Sequence, residues 1–431
     1  MKKFSKHIGL ILLLVFSFTA IPGYANADSV SLNSIAGELP LSPNHPRLDA
    51  ARALVGANWT IENGYTGKGV SIAIIDSGIQ NDHIQFSGRI LKQVCHAYAE
   101  SSSLCADKKL FDDSIYSGEY SKNPNGLPIN GSAFHGTAVA SSILEFAPDV
   151  RLIVLKNDYS NGVFKNLEWV IDNAKKYNIV AVNMSFGNPY QGAPGWPRNF
   201  GPCENTQMAD DYAIPISKLR ELGVAPIIAS MNNGNLNGIS SPACLKNSVS
   251  VGAVNSNGLI QSYSNISSDI TLVAPTEFET ANVADSVGQK NNWLESFSGT
   301  SAATPVVAAL FAIGKSIRPN ASVSDLIRIA RDSAISTDDV IVKDLKLVQF
   351  DSFVQMMLDD TNFNESQPIS ADAKAAAELK AKQEADAKAA AELKAKGTSL
   401  KKSTITCIKG KVIKKVTSIK PVCPSGYKKK S

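Results

Sequence analysis

The chain is 431 residues long, 44% hydrophobic and 19% charged, with a formal net charge of +4. That length and apolar share suit one large globular domain with additions, or two or three small ones, and exclude a disordered chain. The low net charge hides a split: residues 398–431 hold ten lysines and no acidic residue, so residues 1–397 carry −6 and a basic tail sits on an acidic body.

In chain order, Lys2, Lys3 and Lys6 precede the apolar run "IGLILLLVFSFTAI", and "ANA" ends at Ala27. A basic start, an apolar run and small residues predict a signal peptide over residues 1–27, an uncleaved anchor being the alternative. No later stretch has the ~18 continuous apolar residues that a membrane span needs, so a secreted, extracellular protein is expected. Residues 28–45 read as a loose mature N-terminus.

From residue 46 to about 362, short β-branched runs alternate with helical stretches. "VSIAIIDSG" (70–78), "VRLIVLKN" (150–157), "IVAVNMSFG" (179–187), "VAPIIASMNN" (224–233) and "SVSVGAV" (248–254) have the length of buried strands. "NLEWVIDNAKKY" (166–177) and "DYAIPISKLRELG" (211–223) read as helices. This alternation predicts an α/β fold with a mostly parallel central sheet flanked by helices. In such sheets functional loops gather at the carboxyl ends of the strands.

Three stretches put a reactive side chain among small residues. "IAIIDSG" is an apolar strand ending at Asp76, and a buried carboxylate there needs a partner. "FHGTAVAS" sets His135 at the start of a buried helix, where an imidazole can act as a base near neutral pH. In "SFSGTSAATPVVAAL" (296–310), Ser301 opens an apolar helix, with Ser and Thr hydroxyls expected to cap it and Pro305 expected in its first turn. A serine hydroxyl is a weak nucleophile unless an oriented imidazole takes its proton, and that imidazole needs a carboxylate. Asp76, His135 and Ser301 supply these roles.

These three stretches, in this order, resemble the signatures of the subtilisin-like serine peptidases, the subtilases, over roughly residues 45–360. The resemblance implies a secreted serine endopeptidase that cleaves proteins or peptides through an acyl-enzyme, with residues 46–362 as its peptidase domain. "VNMSFG" is similar to the family's substrate-binding strand, which implies that Ser185, Phe186 and Gly187 pair with an extended peptide. "IIASMNNG" is similar to the segment with the oxyanion asparagine, which implies that role for Asn232. Departures are Met231, where a glycine is usual beside the specificity pocket, and Ala302 and Val306, which replace a frequent methionine and histidine. The first puts the usual preference for a large apolar residue in doubt. The chemistry implies no cofactor. Structural calcium is left open, because no compact acidic loop identifies a metal site.

Six cysteines suit an oxidising compartment and allow 15 pairings. Spacing suggests Cys95 with Cys105 and Cys407 with Cys423, each stapling one loop, and leaves Cys203 with Cys244. The first pair lies in the long Asp76–His135 interval, an expected surface insertion. A second insertion follows Gly187 and contains "GAPGWPRNFGPC".

Residues 366–397 carry "ADAKAAAELKAK" twice, at 371–382 and 385–396, which reads as a semi-rigid helical linker. Residues 398–431 form the Lys-rich tail, read as a small disulfide-stapled hairpin. The tail could associate with anionic cell-surface polymers or be a solvated end. Nucleic acid is not expected, since Tyr427 alone offers a stacking platform. A monomer is expected. The alternative to the enzyme is a catalytically silent surface-binding protein on the same fold, with the tail as its working part.

Overall fold

The computed structural model describes residues 45–97, 105, 109–121, 133–157, 161–187, 207–283, 294–339, 342–364, 366–395, 403–418 and 420–430. All of these belong to one unit, Leu39–Ser431. The expected signal peptide, the N-terminal segment before His45, the second insertion after Gly187 and Cys203 lie outside the described residues.

Two short helices, α1 (Pro46–Leu54) and α2 (Ala57–Glu62), lead into strand β1 (Ser71–Asp76). There follow β2 (Ile90–His96), the two-residue β3 (Phe111–Asp112), α3 (Ala133–Phe146), β4 (Arg151–Lys156), α4 (Asn161–Asn173), β5 (Ile179–Met184), α5 (Gln207–Glu221), β6 (Ala225–Ala229) and β7 (Val249–Val254). Next come β8 (Leu272–Pro275) and an antiparallel pair, β9 (Phe278–Ala281) with β10 (Leu294–Phe297). Then α6 (Thr300–Ile317), α7 (Val323–Asp332), β11 (Ile335–Thr337), β12 (Leu345–Leu347) and α8 (Phe350–Leu358) complete the body.

The strands form a ten-stranded sheet in the order β11-β12-β8-β7-β6-β5-β1-β4-β2-β3. The pairs from β12 through β2 are parallel, and only the two outer pairs are antiparallel. Parallel strands are covered on both faces, which explains why β1, β5, β6 and β7 read as mostly apolar runs without polar alternation and are buried at every position. One helical group packs α6 across β5 to β8 and against α3 and α8, and another packs α4 against α5. Helix α6 is long and apolar enough to cross a membrane by length and composition, yet 94% of it is buried in the core.

The chain begins at β1, moves outward to β2, returns to β4 and only then crosses to β5 on the other side of β1. The order therefore reverses at β1, and the carboxyl end of that strand is where such a sheet leaves a crevice.

Each strand expected from the sequence is present, but β5 and β6 stop at Met184 and Ala229, short of the expected Gly187 and Asn233. The residues beyond leave the sheet, and they are the candidate site residues. Helix α4 begins five residues before the expected start and ends at Asn173.

The capping expectation for α6 is corrected. Its N-cap is Gly299, at φ +96, and no side chain of the cap residue bonds to the helix. Pro305 is not in the first turn either; it is the sixth residue of the helix.

The repeats form one helix, α9 (Ala371–Ala395). Its first turns lie on the body: Ala373 is buried, the Ser370 N–H donates to the Ile317 carbonyl, and Lys380 Nζ stands 4.2 Å from the centre of the Trp59 ring. The tail forms a separate small sheet of β13 (Ser403–Lys409), β14 (Val412–Ser418) and β15 (Lys428–Lys429), in the order β14-β13-β15. The disulfides Cys95–Cys105 and Cys407–Cys423 are both formed. Cys244 is also disulfide-bonded.

Candidate active site

Asp76 is the last residue of β1, and the sheet order puts it at the reversal point. Helix α3 can approach it because position 136 is glycine. A Cβ there would stand 2.2 Å from the Gly78 carbonyl oxygen and 3.2 Å from Asp76 Oδ1, closer than a real side chain tolerates. The Gly136 N–H donates to Ser77 Oγ at 3.1 Å, tying the helix start to the strand end. His135 is thereby held over Asp76.

His135 Nδ1 lies 2.9 Å from Asp76 Oδ1 and 3.0 Å from Oδ2. Since a carboxylate only accepts, Nδ1–H is the donor and Nε2 is left as the proton acceptor of the neutral ring. Asp76 Oδ1 also accepts the Ser77 N–H at 2.7 Å. The Phe297 ring stands edge-on to the imidazole, with centroids 5.5 Å apart at 85°. Burial acts to lower the His135 pKa, but the Asp76 charge and its hydrogen bond outweigh it, so the pKa is raised above the ordinary histidine value.

Ser301 is the second residue of α6 and is 8% exposed. Its hydroxyl donates to the Ser185 carbonyl at 3.0 Å rather than to the imidazole. The return contact explains Pro305. A proline has no N–H for the carbonyl four residues before it, and here that carbonyl is Ser301's. It accepts the Ser185 hydroxyl at 3.0 Å instead. Ser185 Oγ in turn accepts from Asn183 Nδ2 at 3.0 Å. The helix bearing Ser301 is thus pinned to the segment after β5.

Asn232 follows β6 and is exposed. Its Oδ1 accepts the Thr300 N–H at 2.9 Å and the Thr300 hydroxyl at 3.1 Å. A backbone N–H only donates, so the amide oxygen is fixed inward and the NH2 end is free to donate elsewhere. Asn232 therefore does the work expected of the serine and threonine hydroxyls at the helix start. The loop behind it is held by Asn265, whose Oδ1 accepts the N–H groups of Asn233 and Asn235, each at 3.0 Å, and whose Nδ2 donates to the Ser230 carbonyl at 3.0 Å.

Hydrogen bonds tie Asp76 to His135, Ser301 to Ser185, and Asn232 to Thr300 next to Ser301, so these are five sequence-read residues in two bonded groups. The Phe297 ring, four residues before Ser301, stands against His135, and Phe186 and Gly187 continue from Ser185. The sequence did not identify Thr300, Asn265, Phe297 or Tyr263, whose hydroxyl accepts the Gly299 N–H at 3.1 Å. Thr300 and Phe297 lie in the quoted 296–310 stretch, where a hydroxyl is expected only as a helix cap and a phenylalanine carries no chemical signal. Asn265 and Tyr263 lie in no motif. A cavity of about 860 Å³ opens elsewhere, among Ile216, Leu236, Ile239 and Asp269, and none of the five residues lines it. An extended peptide needs an open cleft rather than a cavity, so chemistry outweighs volume in locating the site. Among the described residues no group of three or more His, Cys, Asp or Glu side chains is gathered as a metal site.

Residues 67–369 match the model of the Subtilase family. The chain is 27% identical over 319 residues to the minor extracellular protease Epr of Bacillus subtilis strain 168, an alignment that spans 70% of this chain and 39% of that protein. It is 28% identical over 283 residues to subtilisin DY of Bacillus licheniformis, covering 63% of this chain and 86% of that one. Among solved structures, a protease from Pseudoalteromonas arctica PAMC 21717 superposes with a TM-score of 0.58 at 18% identity, over 73% of this chain and 99% of the other. That last likeness concerns the fold.

Proposed function

Because the chain belongs to the subtilase family, we propose that it is a secreted serine endopeptidase with Ser301 as nucleophile, His135 as general base and acid, and Asp76 as the group that orients and stabilises the imidazole. The observation that carries this reading is the His135 Nδ1 contact with both Asp76 oxygens, 2.9 and 3.0 Å. It leaves Nε2 as the proton acceptor of a ring that stands against Phe297, four residues before Ser301. Rotation of Ser301 Oγ away from the Ser185 carbonyl frees it to give its proton to Nε2 as it attacks the peptide carbonyl carbon. The oxygen of that carbonyl becomes an oxyanion, for which Asn232 Nδ2 is the donor and the positive end of α6 adds partial charge. As the tetrahedral adduct collapses, the C–N bond breaks, His135 gives the proton to the leaving amine, and an acyl-Ser301 remains. Water activated by His135 then releases the acid and restores the serine. The chemistry uses no cofactor.

Backbone groups of Ser185, Phe186 and Gly187 pair with the extended substrate by strand addition. Secretion is supported by the first 27 residues and by three disulfide-bonded positions in the body and two in the tail. The basic tail is proposed to hold the enzyme, as a monomer, to anionic polymers of a cell surface. A silent binding protein on this fold would not need the full set of four reactive positions.

Purified mature protein is expected to cut an unfolded protein at internal bonds. Ser301→Ala should lower that rate by roughly ten-thousand-fold or more. Full activity in Ser301→Ala, or none in the folded wild type, would contradict the assignment.

A further inference from the structure

Strands β5 and β6 run side by side with Met184 opposite Ile228. Three residues further along each stand Gly187 and Met231. Gly187 has no side chain, and Met231 lies across it. A Cβ built on Gly187 would be 2.8 Å from Met231 Cγ and 3.2 Å from its Sδ, with the Ser241 carbonyl oxygen at 3.0 Å. One side chain therefore fills the space between the two diverging segments.

Met231 holds that place at φ +79, in the left-handed region that favours glycine and strains a methionine. Its backbone is fixed at both ends: its N–H donates to Thr300 Oγ1 at 3.2 Å, and its carbonyl accepts the Asn265 N–H at 2.9 Å. A bulky residue kept where the backbone favours none asks for a local reason.

The gap has a defined position in the reaction, on the endopeptidase reading given above, upon which this inference rests. The acyl carbon bonds to Ser301 Oγ, its oxygen faces Asn232 Nδ2, and the peptide runs along residues 185–187. His135 occupies the leaving-group side. The residue that contributes the acyl carbon must then direct its side chain between the 185–187 and 231–232 segments. We propose that Met231 is a specificity-determining residue that fills this gap and restricts the acyl-side residue of the cleaved bond to a small one, such as alanine, serine or glycine. A phenylalanine or leucine side chain would have to enter the space that the Met231 thioether takes over Gly187. The methionine stem is flexible, but its Cα cannot retreat while both backbone bonds hold.

The test compares two peptide substrates that differ only in Ala or Phe at the acyl side of the scissile bond. Both are assayed on one enzyme preparation, so the fraction of active molecules cancels from the ratio. Wild type should favour Ala in kcat/KM by about tenfold or more, and Met231→Gly should shift that ratio toward Phe by about tenfold or more. Met231→Ala should fall between them. Wild type that cleaves the Phe substrate as well as the Ala one, or a ratio unmoved in Met231→Gly, overturns the inference while leaving the peptidase reading intact. No cleavage of either substrate, together with no phosphonate adduct on Ser301, overturns both.

Discussion

Pro305 shows how one residue reaches across the site. It strips a helical bond from the Ser301 carbonyl, and the Ser185 hydroxyl takes that place. Ser185→Ala leaves a buried carbonyl without its partner, at a cost of about 1–3 kcal/mol. The expected result is a lower melting temperature together with slower phosphonate labelling of Ser301. An unchanged melting temperature would mean that the bond is dispensable. His135 gives a second residue-scale expectation. Catalysis needs the neutral ring and its pKa is raised, so the acidic limb of the labelling rate should lie above the ordinary value of about 6.5. Asp76→Asn should move that limb down. The linked stability has the opposite direction: the contribution of the raised pKa is full below the unfolded value and fades as pH rises through the folded one. A titration of wild type with its limb below 6.5 would contradict the account. At this scale the reactive side chains were legible because each needs a specific chemistry. The groups that aim them were not: Thr300 at the start of α6 reads only as a cap, although it donates to Asn232, and Asn265 reads as one more loop asparagine.

Among elements, the buried pair between α1 and α3 is the most exacting contact. Arg52 Nη2 meets Glu145 Oε2 at 2.5 Å and Arg52 Nε donates to the Glu145 carbonyl at 2.8 Å, while Gln85 Nε2 donates to Glu145 Oε1. Burial pushes the Glu145 pKa up to about 8, against the pull of Arg52. Glu145→Ala leaves the guanidinium buried without its carboxyl and should cost about 3–5 kcal/mol, read by denaturant unfolding. A loss under 1 kcal/mol would show that water replaces the carboxyl. Helix α7 offers a milder case. Ser322 and Asp325 form a capping box, and Ser322→Ala should cost about 1 kcal/mol. That box was open to a reading of "SVSD", whereas the cap of α6 was not, because its acceptor comes from Asn232, 68 residues away. Strand cores were legible from their apolar runs. Strand ends read too late: the expected strands take in Ser185–Gly187 and Ser230–Asn233, although the sheet stops at Met184 and Ala229, where the apolar runs also break.

For the whole molecule, the alternation of strands and helices announced the parallel sheet, and the reversal of strand order at β1 accounts for where the reactive residues meet. The antiparallel margins, β11 with β12 and β2 with β3, are two or three residues long at their pairings, too short to leave a pattern in the sequence. The repeat helix divides in a way that its identical halves could not reveal: Ser370 just before it bonds to Ile317, Ala373 is buried and Lys380 stands over Trp59, whereas residues 381–389 are all exposed. The charge split gives a prediction of its own. Deleting residues 398–431 should abolish retention on an anionic polymer at low salt, a retention that itself fades as screening increases. Cleavage of a small peptide should be unaffected. Retention unchanged by the deletion would place the binding surface on the body.

The central claim is that Asp76, His135 and Ser301 act as one unit. Its most direct test is labelling of the purified mature protein with a fluorophosphonate, with the adduct located by peptide mass spectrometry. The account predicts one adduct, on Ser301, that is lost in His135→Ala. An adduct on another serine, or labelling of Ser301 that survives the loss of His135, would contradict it.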